Sequence, residues 1–168
     1  GENNKMENIH DNKISGIGNA VCETVLPAVP LQPLKEIERS IQKKYRNELW
    51  SPFIRALKEF ELVEEGDRIA IAISGGKDSL LLSKLFQELK RASKTNFELV
   101  FISMNPGFND INLQNLKKNL DYLEIPCEIY NDNIFEIAEQ IAKDYPCYMC
   151  AKMRRGSLYT KATSLGCN

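Results

Sequence analysis

The succession of five apolar residues from Ile69 to Ile73 constrains the fold of this chain more than any other stretch. A strand that is apolar on both faces is typical of a parallel sheet with helices covering both sides. A second buried run, FELVFISM, follows at the spacing of about 30 residues that is expected for a β-α-β unit. A weaker third strand is predicted at CEIY, which begins at Cys127. The sequence therefore predicts an α/β fold with an open parallel sheet.

Apolar residues at helical spacing follow each of these strands and recur near the end of the chain. They predict four helices, one after each strand and one last helix. The positions that define these helices are, in order, Leu80, Leu81, Leu82, Leu85, Phe86 and Leu89; Leu113, Leu116, Leu120 and Leu123; Ile134, Ile137 or Ala138, and Ile141; and Leu158, Ala162 and Leu165.

Upstream of the first strand, the sequence predicts two more helices. The first begins at Leu34 and has an apolar stripe with a four-residue step, at Ile37, Ile41, Tyr45 and Leu49. Ser51 and Pro52 predict a second helix, with Ser51 as its N-cap, that runs to about Phe60. We expect three parts: a flexible N-terminal extension at 1–33, a helical segment at 34–66, and the sheet domain at 67–168.

Composition narrows the class of protein. With 168 residues, 43% of them hydrophobic and 27% charged, the chain is expected to form one soluble globular domain. No apolar run approaches the roughly 20 residues of a membrane span, and the polar stretch GENNKMENIHDNK does not fit a signal peptide. These features predict a cytoplasmic protein without a membrane partner. The odd number of cysteines, five, favours free thiols or metal-bound thiolates over disulfides.

The loop after the first predicted strand is the candidate binding site. Gly75 and Gly76 allow a close backbone approach, and a helix expected to begin near Ser79 would offer free N–H groups to an anion. Ser74 and Ser79 add hydroxyl groups. Lys77 adds a positive charge and Asp78 can hold Mg²⁺ against phosphate oxygens, so these two are the candidate catalytic residues. The competing interpretation is a glycine turn with a capped helix and no ligand. The spacing does not match a Walker A loop.

Two further stretches contain candidate site residues. Met104 and Asn105 follow the second strand, beside the first, where they would line a nucleotide pocket, although Asn-Pro-Gly also forms a turn without any ligand. Cys147 and Cys150 lie three positions apart and are candidate ligands of one metal centre. A zinc site, a redox dithiol and two structural cysteines are the alternatives.

The remaining cysteines and the single histidine are weaker candidates. Cys22 falls in the extension, Cys127 is predicted to be a small core residue, and Cys167 precedes another predicted strand. His10 lies in the extension, which argues against hydrolase chemistry based on a histidine. After Asp144 the chain has no acidic residue, and a local basic patch is formed by Lys152, Arg154, Arg155 and Lys161.

The loop from Ser74 to Ser79 reads SGGKDS and resembles the S-G-G-x-D-S loop of the PP-loop ATPases, which have a Rossmann-like adenine nucleotide alpha hydrolase fold. The resemblance implies that ATP is bound, that a substrate is adenylated, and that pyrophosphate leaves. ISMNPGF, PCYMCAKMRRG and LYTKATSLGCN are similar to segments of the tRNA 2-thiocytidine synthetase family. That family implies a tRNA substrate, a sulfur donor such as a cysteine desulfurase, and a 4Fe–4S cluster held in part by Cys147 and Cys150.

Arg154 and Arg155 are candidates for contacts with tRNA phosphates or with the nucleotide, although exposed arginines are common on helices in general. The same resemblance implies that a fourth strand, the third cluster cysteine and a last strand would follow Asn168. We therefore expect a truncated domain that is inactive alone, in which the first strand is an unpaired edge open to a homodimer. Alternative functions are another adenylating PP-loop enzyme, such as a lysidine ligase or an amide-forming synthetase, and a non-catalytic module that binds ATP or a cluster.

Overall fold

The computed structural model of the chain describes residues 30–105, 107, 109–131 and 146–168. By its internal contacts the chain divides into Gly1–Leu31 and Gln32–Asn168, and every helix and strand of the described part belongs to the second unit. Most of the predicted extension, and the predicted helix at Ile134–Ile141, lie outside the described residues.

The predicted open parallel sheet is confirmed. Its described strands are β1 (Arg68–Ala72), β2 (Glu98–Asn105) and β3 (Cys127–Asn131), all parallel, in the order β1-β2-β3. Arg68 pairs with Glu98 and Phe101 pairs with Cys127. Parallel neighbours place their carboxyl ends at one edge, so all three strands end on the same side of the sheet.

Five α-helices are described. They are α1 (Leu34–Gln42), α2 (Ser51–Glu59), α3 (Lys77–Ala92), α4 (Asp110–Tyr122) and α5 (Pro146–Ser164). α3 is the crossover that makes β1 and β2 parallel, and α4 does the same for β2 and β3. None of the helices in the described part of the chain has the length and hydropathy required to cross a membrane.

The prediction for the N-terminal helices was partly wrong. α1 ends at Gln42 instead of continuing to Leu49, and Tyr45 is 41% exposed. A π-helical turn, Arg46–Trp50, leads directly into α2, and the N-cap of α2 is Trp50 rather than Ser51. The wider turn brings Trp50 into contact with a small core that also contains Ile41 and Leu85. Burial of this large aromatic side chain therefore determines the path of the chain here, which the four-residue step could not show.

The main core lies under one face of the sheet. Its buried members are Leu57, Ile71, Ile73, Phe86, Phe101, Leu116, Leu120 and Ile125. The alternation of Ile71 and Ile73 reflects the two-residue period of β1, which turns both side chains to this face. Leu82, one of the apolar residues from which α3 was predicted, is 39% exposed.

A buried ionic cluster joins α1 to α3. Lys84 is 2% exposed, and its Nζ donates to Glu38 Oε1 at 2.7 Å, to Gln87 Oε1 at 2.7 Å and to the Leu123 carbonyl at 2.9 Å. Arg91 adds a second bridge to Glu38 at 2.9 Å. Burial raises the pKa of Glu38, but hydrogen bonds from Arg91 and Lys84 outweigh this effect and hold the pKa below its ordinary value of 4.5.

We predict that Lys84→Met lowers the free energy of unfolding by about 3 kcal/mol, because it leaves the mostly buried Glu38 carboxylate short of a partner. Urea unfolding measures this. The exposed Lys118→Met is the control and is expected to change stability by less than about 0.5 kcal/mol.

Since the folded pKa of Glu38 is lowered, its stabilisation is present above pH 4.5 and is lost as the pH falls through the folded pKa. The difference between wild type and Lys84→Met should therefore narrow in acid, and a difference that stays constant with pH would contradict this assignment.

Candidate active site

The loop between β1 and α3 turns the chain within a few residues, and one glycine makes the turn possible. Gly75 has φ of +90°, a conformation that residues with a side chain rarely adopt. Gly76 is extended, with φ of −76° and ψ of 159°, and is the N-cap of α3. The helix begins at Lys77, two residues earlier than the sequence predicted. Lys77 and Asp78 therefore belong to the first helical turn.

Two hydroxyl groups hold this loop together. Ser74 Oγ and Ser79 Oγ lie 3.2 Å apart, and Ser79 Oγ donates to the Gly76 carbonyl at 2.9 Å. The backbone N–H of Ser74 donates to Ser79 Oγ at 3.2 Å, and the N–H of Gly76 donates to Ser74 Oγ at 3.3 Å. The predicted pair of serines is thus brought together across the loop.

The open side of the loop is suited to an anion. No side chain of the described residues caps the N-terminus of α3, and the first N–H groups of a helix have no partner within the helix. These groups carry the positive end of the helix dipole. Lys77 and Asp78 are both exposed beside them, so that one supplies a cation and the other a carboxylate for a metal ion.

A residue that sequence analysis missed fixes the start of the loop. Ser103 is fully buried in β2, and its Oγ donates to the Ile73 carbonyl at 2.7 Å. The N–H of Ile73 donates to the Ile102 carbonyl at 2.8 Å. Both backbone groups of the residue just before Ser74 are therefore held by β2. The signal in the sequence was a lone serine inside the apolar run FISM.

Met104 and Asn105 lie at the same edge of the sheet as the loop, and both are buried. Asn105 Nδ2 donates to Asn131 Oδ1 at 3.0 Å, and Asn105 Oδ1 accepts the N–H of Gly107 at 3.1 Å. The amide thus ties the end of β2 to the end of β3. Asn131 was not predicted, although an asparagine directly after an apolar strand was the available signal. The role of Met104 and Asn105 in lining a nucleotide pocket stays a prediction.

Two contacts hold the end of α5 and the residues after it to the sheet. At the amino end of β1, Asn168 donates to the Arg68 carbonyl at 3.1 Å and accepts the Arg68 N–H through Oδ1 at 2.8 Å. Seven residues earlier, Lys161 Nζ lies 3.8 Å from the ring centre of Tyr130, near the carboxyl end of β3. The last part of the chain is therefore joined to both β1 and β3.

The predicted cysteine pair lies within α5 and not in the loop before it, since the helix begins at Pro146. Cys150 is 8% exposed. Positions three apart share one face of a helix, which is the arrangement that two ligands of one metal centre require. The side chain of Cys147 lies outside what the structure describes. Within the described residues, no group of three or more candidate metal ligands occurs.

The two predicted RNA-binding arginines are separated by the helix. Arg154 is half-buried and lies one turn after Cys150 on the same face, whereas Arg155 is exposed. Adjacent residues on a helix are turned by about 100° from each other, which explains the separation. The role of both arginines in RNA binding stays a prediction.

Cys127 does not have the properties of a metal ligand or nucleophile. It packs against the main core, as predicted, and burial raises the pKa of its thiol to about 11, with a smaller contribution from the charge of Glu128. The thiol is protonated at neutral pH, and thiolates are the reactive and metal-binding form. Cys167 is half-buried near the end of the chain.

A pocket of about 410 Å³ lies elsewhere, under the end of α3 and next to the loops that precede β1 and β2. Its lining includes Leu57, Val63 and Thr95 and none of the predicted site residues. The candidate site is therefore the open loop at the carboxyl edge and not this cavity.

Comparison with known proteins points to one kind of enzyme. A scan against models of known protein families found no match. Curated relatives include the tRNA-cytidine(32) 2-sulfurtransferase of Pelobacter propionicus, which is 36% identical over 116 residues, covering 68% of this chain and 43% of that protein. The enzyme of Yersinia pseudotuberculosis is 34% identical over 132 residues, covering 75% of this chain and 40% of that protein. The enzyme of Polaromonas naphthalenivorans is 32% identical over 152 residues, covering 88% of this chain and 47% of that protein. Over this shared segment, the chain belongs to the family of these sulfurtransferases. The resemblance predicted from the sequence is confirmed, and the chain spans less than half the length of these three relatives.

The glycine pair of the loop allows a matched test. We predict that Gly75→Ala destabilises the fold by about 1–2 kcal/mol, because a side chain is strained at φ of +90°. Gly76 has an ordinary φ, and the Cβ of an alanine at this position would lie 3.6 Å from Ser74 Oγ, which is a normal contact. Gly76→Ala should change stability by less than about 0.5 kcal/mol. Urea unfolding of both variants measures the difference, and equal losses would show that the positive φ of Gly75 is not a requirement of the loop.

Proposed function

We propose that this chain carries the ATP-binding part of an enzyme that converts a tRNA cytidine to 2-thiocytidine. The observation that carries the proposal is the SGGKDS loop, held open at the carboxyl edge of a parallel sheet in a relative of tRNA-cytidine(32) 2-sulfurtransferases. The geometry of the SGGKDS loop supports binding of a polyphosphate, and the names of the curated relatives support a tRNA cytidine as the substrate. A tRNA partner also favours a cytoplasmic location.

The proposed first step is adenylation. The O2 atom of the cytosine attacks the α phosphorus of ATP, the bond to the β phosphate breaks, and pyrophosphate leaves. The chain's part in this step is to bind and orient the leaving group. The N–H groups of the first turn of α3, with Lys77, balance its negative charge, and Asp78 would hold a Mg²⁺ ion, which would supply further positive charge. The fixed position of Ile73 keeps the loop from shifting as charge develops.

The proposed second step replaces oxygen with sulfur. A sulfur nucleophile attacks C2 of the adenylated cytosine, and AMP leaves with the former O2 atom. Sulfur is expected to come from a donor such as a cysteine desulfurase, and a 4Fe–4S cluster would supply a site that carries it. Cys147 and Cys150 fit two ligands of such a cluster by their spacing and by the burial of Cys150. Other ligands would have to come from beyond the described residues.

Nucleoside analysis tests the product. We predict that a strain lacking the full-length gene has no 2-thiocytidine in its tRNA and that the wild-type gene restores it. Cys147→Ala should fail to restore it. Cys127→Ser is the matched control and should restore it, because the Cys127 thiol is a core group with a raised pKa. Mass spectrometry of digested tRNA measures the nucleoside, and an unchanged level in the deletion strain would refute this substrate and favour another adenylating enzyme of the PP-loop class.

Measurement of pyrophosphate release is a separate test of the SGGKDS loop. We predict that, in the full-length protein, Asp78→Asn lowers the tRNA-dependent release of pyrophosphate from ATP by about a hundredfold or more, since it removes the charge that would hold the metal ion. Asp110→Asn is the control, because Asp110 is also exposed in the first turn of a helix. A coupled phosphate assay follows the rate. Equal activity of Asp78→Asn and wild type would remove Asp78 from the mechanism, and absence of release by wild type would favour a non-catalytic module.

A further inference from the structure

The outer face of α5 presents two tyrosines and two cations in a single row. Tyr148 is 63% exposed and Tyr159 is 76% exposed, and Lys152 and Arg155 are exposed between them. They are spaced four, three and four residues apart, which keeps the four side chains within an arc of about 60° around the helix axis. We call these four residues the outer stripe. It extends about 16 Å along the helix.

The outer stripe is not explained by packing within the described fold. Most of the buried and half-buried residues of α5, including Cys150 and Leu158, lie on other sides of the helix. Tyrosines with most of their surface in water contribute little to a core. A row of exposed aromatic and cationic side chains on one helix is therefore a candidate surface for a partner.

Charge indicates the kind of partner. α5 contains no Asp or Glu along its 19 residues. Of the salt bridges among the described residues, none includes Lys152 or Arg155. Both cations are thus available to external anions. The outer stripe has two cations between two aromatic rings, so it would match a polyanion that carries flat groups between its charges. Single-stranded RNA has this composition, because its phosphates alternate with bases that stack on aromatic rings.

The position of the outer stripe along α5 agrees with such a partner. The stripe begins at Tyr148, between the two cysteines in the sequence. Cys150 is buried, whereas Tyr148 is exposed. The same helix would then hold the RNA on one side and Cys150 on the other.

We propose that the outer stripe, Tyr148, Lys152, Arg155 and Tyr159, binds an unpaired segment of RNA, with bases stacked on the two tyrosines and phosphates paired with the two cations. This inference rests on the proposed function for the identity of the RNA as tRNA. Arg154, on the inner side, is not part of this surface.

Fluorescence anisotropy tests the stripe with a labelled RNA hairpin that has an unpaired loop, and with the fully paired duplex of its stem. The purified full chain is used without ATP. Tyr148→Ala and Tyr159→Ala should each weaken hairpin binding by roughly 5- to 150-fold, whereas Tyr148→Phe and Tyr159→Phe should bind as wild type, because stacking is retained. Tyr45→Ala, which removes an exposed tyrosine at the end of the N-terminal helices, is the control and should have no effect.

The two cations are tested by salt dependence. Lys152→Glu with Arg155→Glu should weaken hairpin binding and lower the slope of log Kd against log salt by about 1.4, or roughly 0.7 for each lost phosphate contact. Lys117→Glu with Lys118→Glu makes the same charge change on exposed positions of α4 and should leave the slope unchanged. Circular dichroism confirms that all variants are folded, which is expected because every substituted side chain is exposed or at the surface.

Each result decides the proposal. Loss of hairpin binding in the tyrosine variants, with little binding of the duplex by wild type, supports it. Equal binding of hairpin and duplex, or loss only in the charge variants, overturns it in favour of a general attraction to polyanions such as an acidic protein. If the stripe variants bind RNA normally while the nucleoside analysis shows that 2-thiocytidine depends on this gene, the stripe proposal is wrong and the proposed function stands. If the stripe binds RNA but no 2-thiocytidine depends on this gene, the stripe stands and the function is wrong.

Discussion

The parallel pairing of β1 with β2 is the constraint on which the rest of the described structure depends. Two consecutive strands can run parallel only if the chain crosses back over the sheet, and α3 makes that crossover. The register places Ala72 beside Ile102, so that β1 ends while β2 continues. Ser103 and Ile102 then hold both backbone groups of Ile73. The SGGKDS loop therefore starts from a residue that cannot shift, which is the condition for a preorganised binding site.

The helix that carries the loop is itself fixed by two different kinds of interaction. Phe86 belongs to the main core, and Leu85 belongs to the smaller core with Trp50 and Ile41. Lys84 adds directed contacts to α1 and to the end of α4. Apolar burial is not directional, whereas the ionic cluster has a defined geometry, so together they specify both the depth and the rotation of α3. The first turn of α3, with Lys77 and Asp78, is positioned by these contacts and by Leu80, which also packs against the main core.

In the proposed function, α5 has two roles. Its inner side contains Cys150 and Arg154, and its outer side contains Arg155 between two exposed tyrosines. Asn168 and Lys161 hold the end of the helix and the residues after it to the sheet. A site for sulfur chemistry and a surface for RNA would then be linked by a rigid element rather than by a loop.

Local sequence patterns were sufficient to predict the fold class, the three strands and the residues of the loop. An apolar run such as IAIAI is typical of a strand that is buried on both faces, and two glycines between a buried strand and a helix are typical of a loop that approaches an anion closely. The end of α1, the burial of Trp50 and the partial burial of Arg154 were decided only by tertiary contacts. Helix ends depend on which large side chain the core can accept, and the direction of a side chain depends on where its helix is anchored. Ser103 and Asn131 became visible as site residues for the same reason, because a hydrogen bond between neighbouring strands joins residues that are 30 and 26 positions apart in the sequence. Local patterns specify elements, while contacts between distant residues decide which side chains meet.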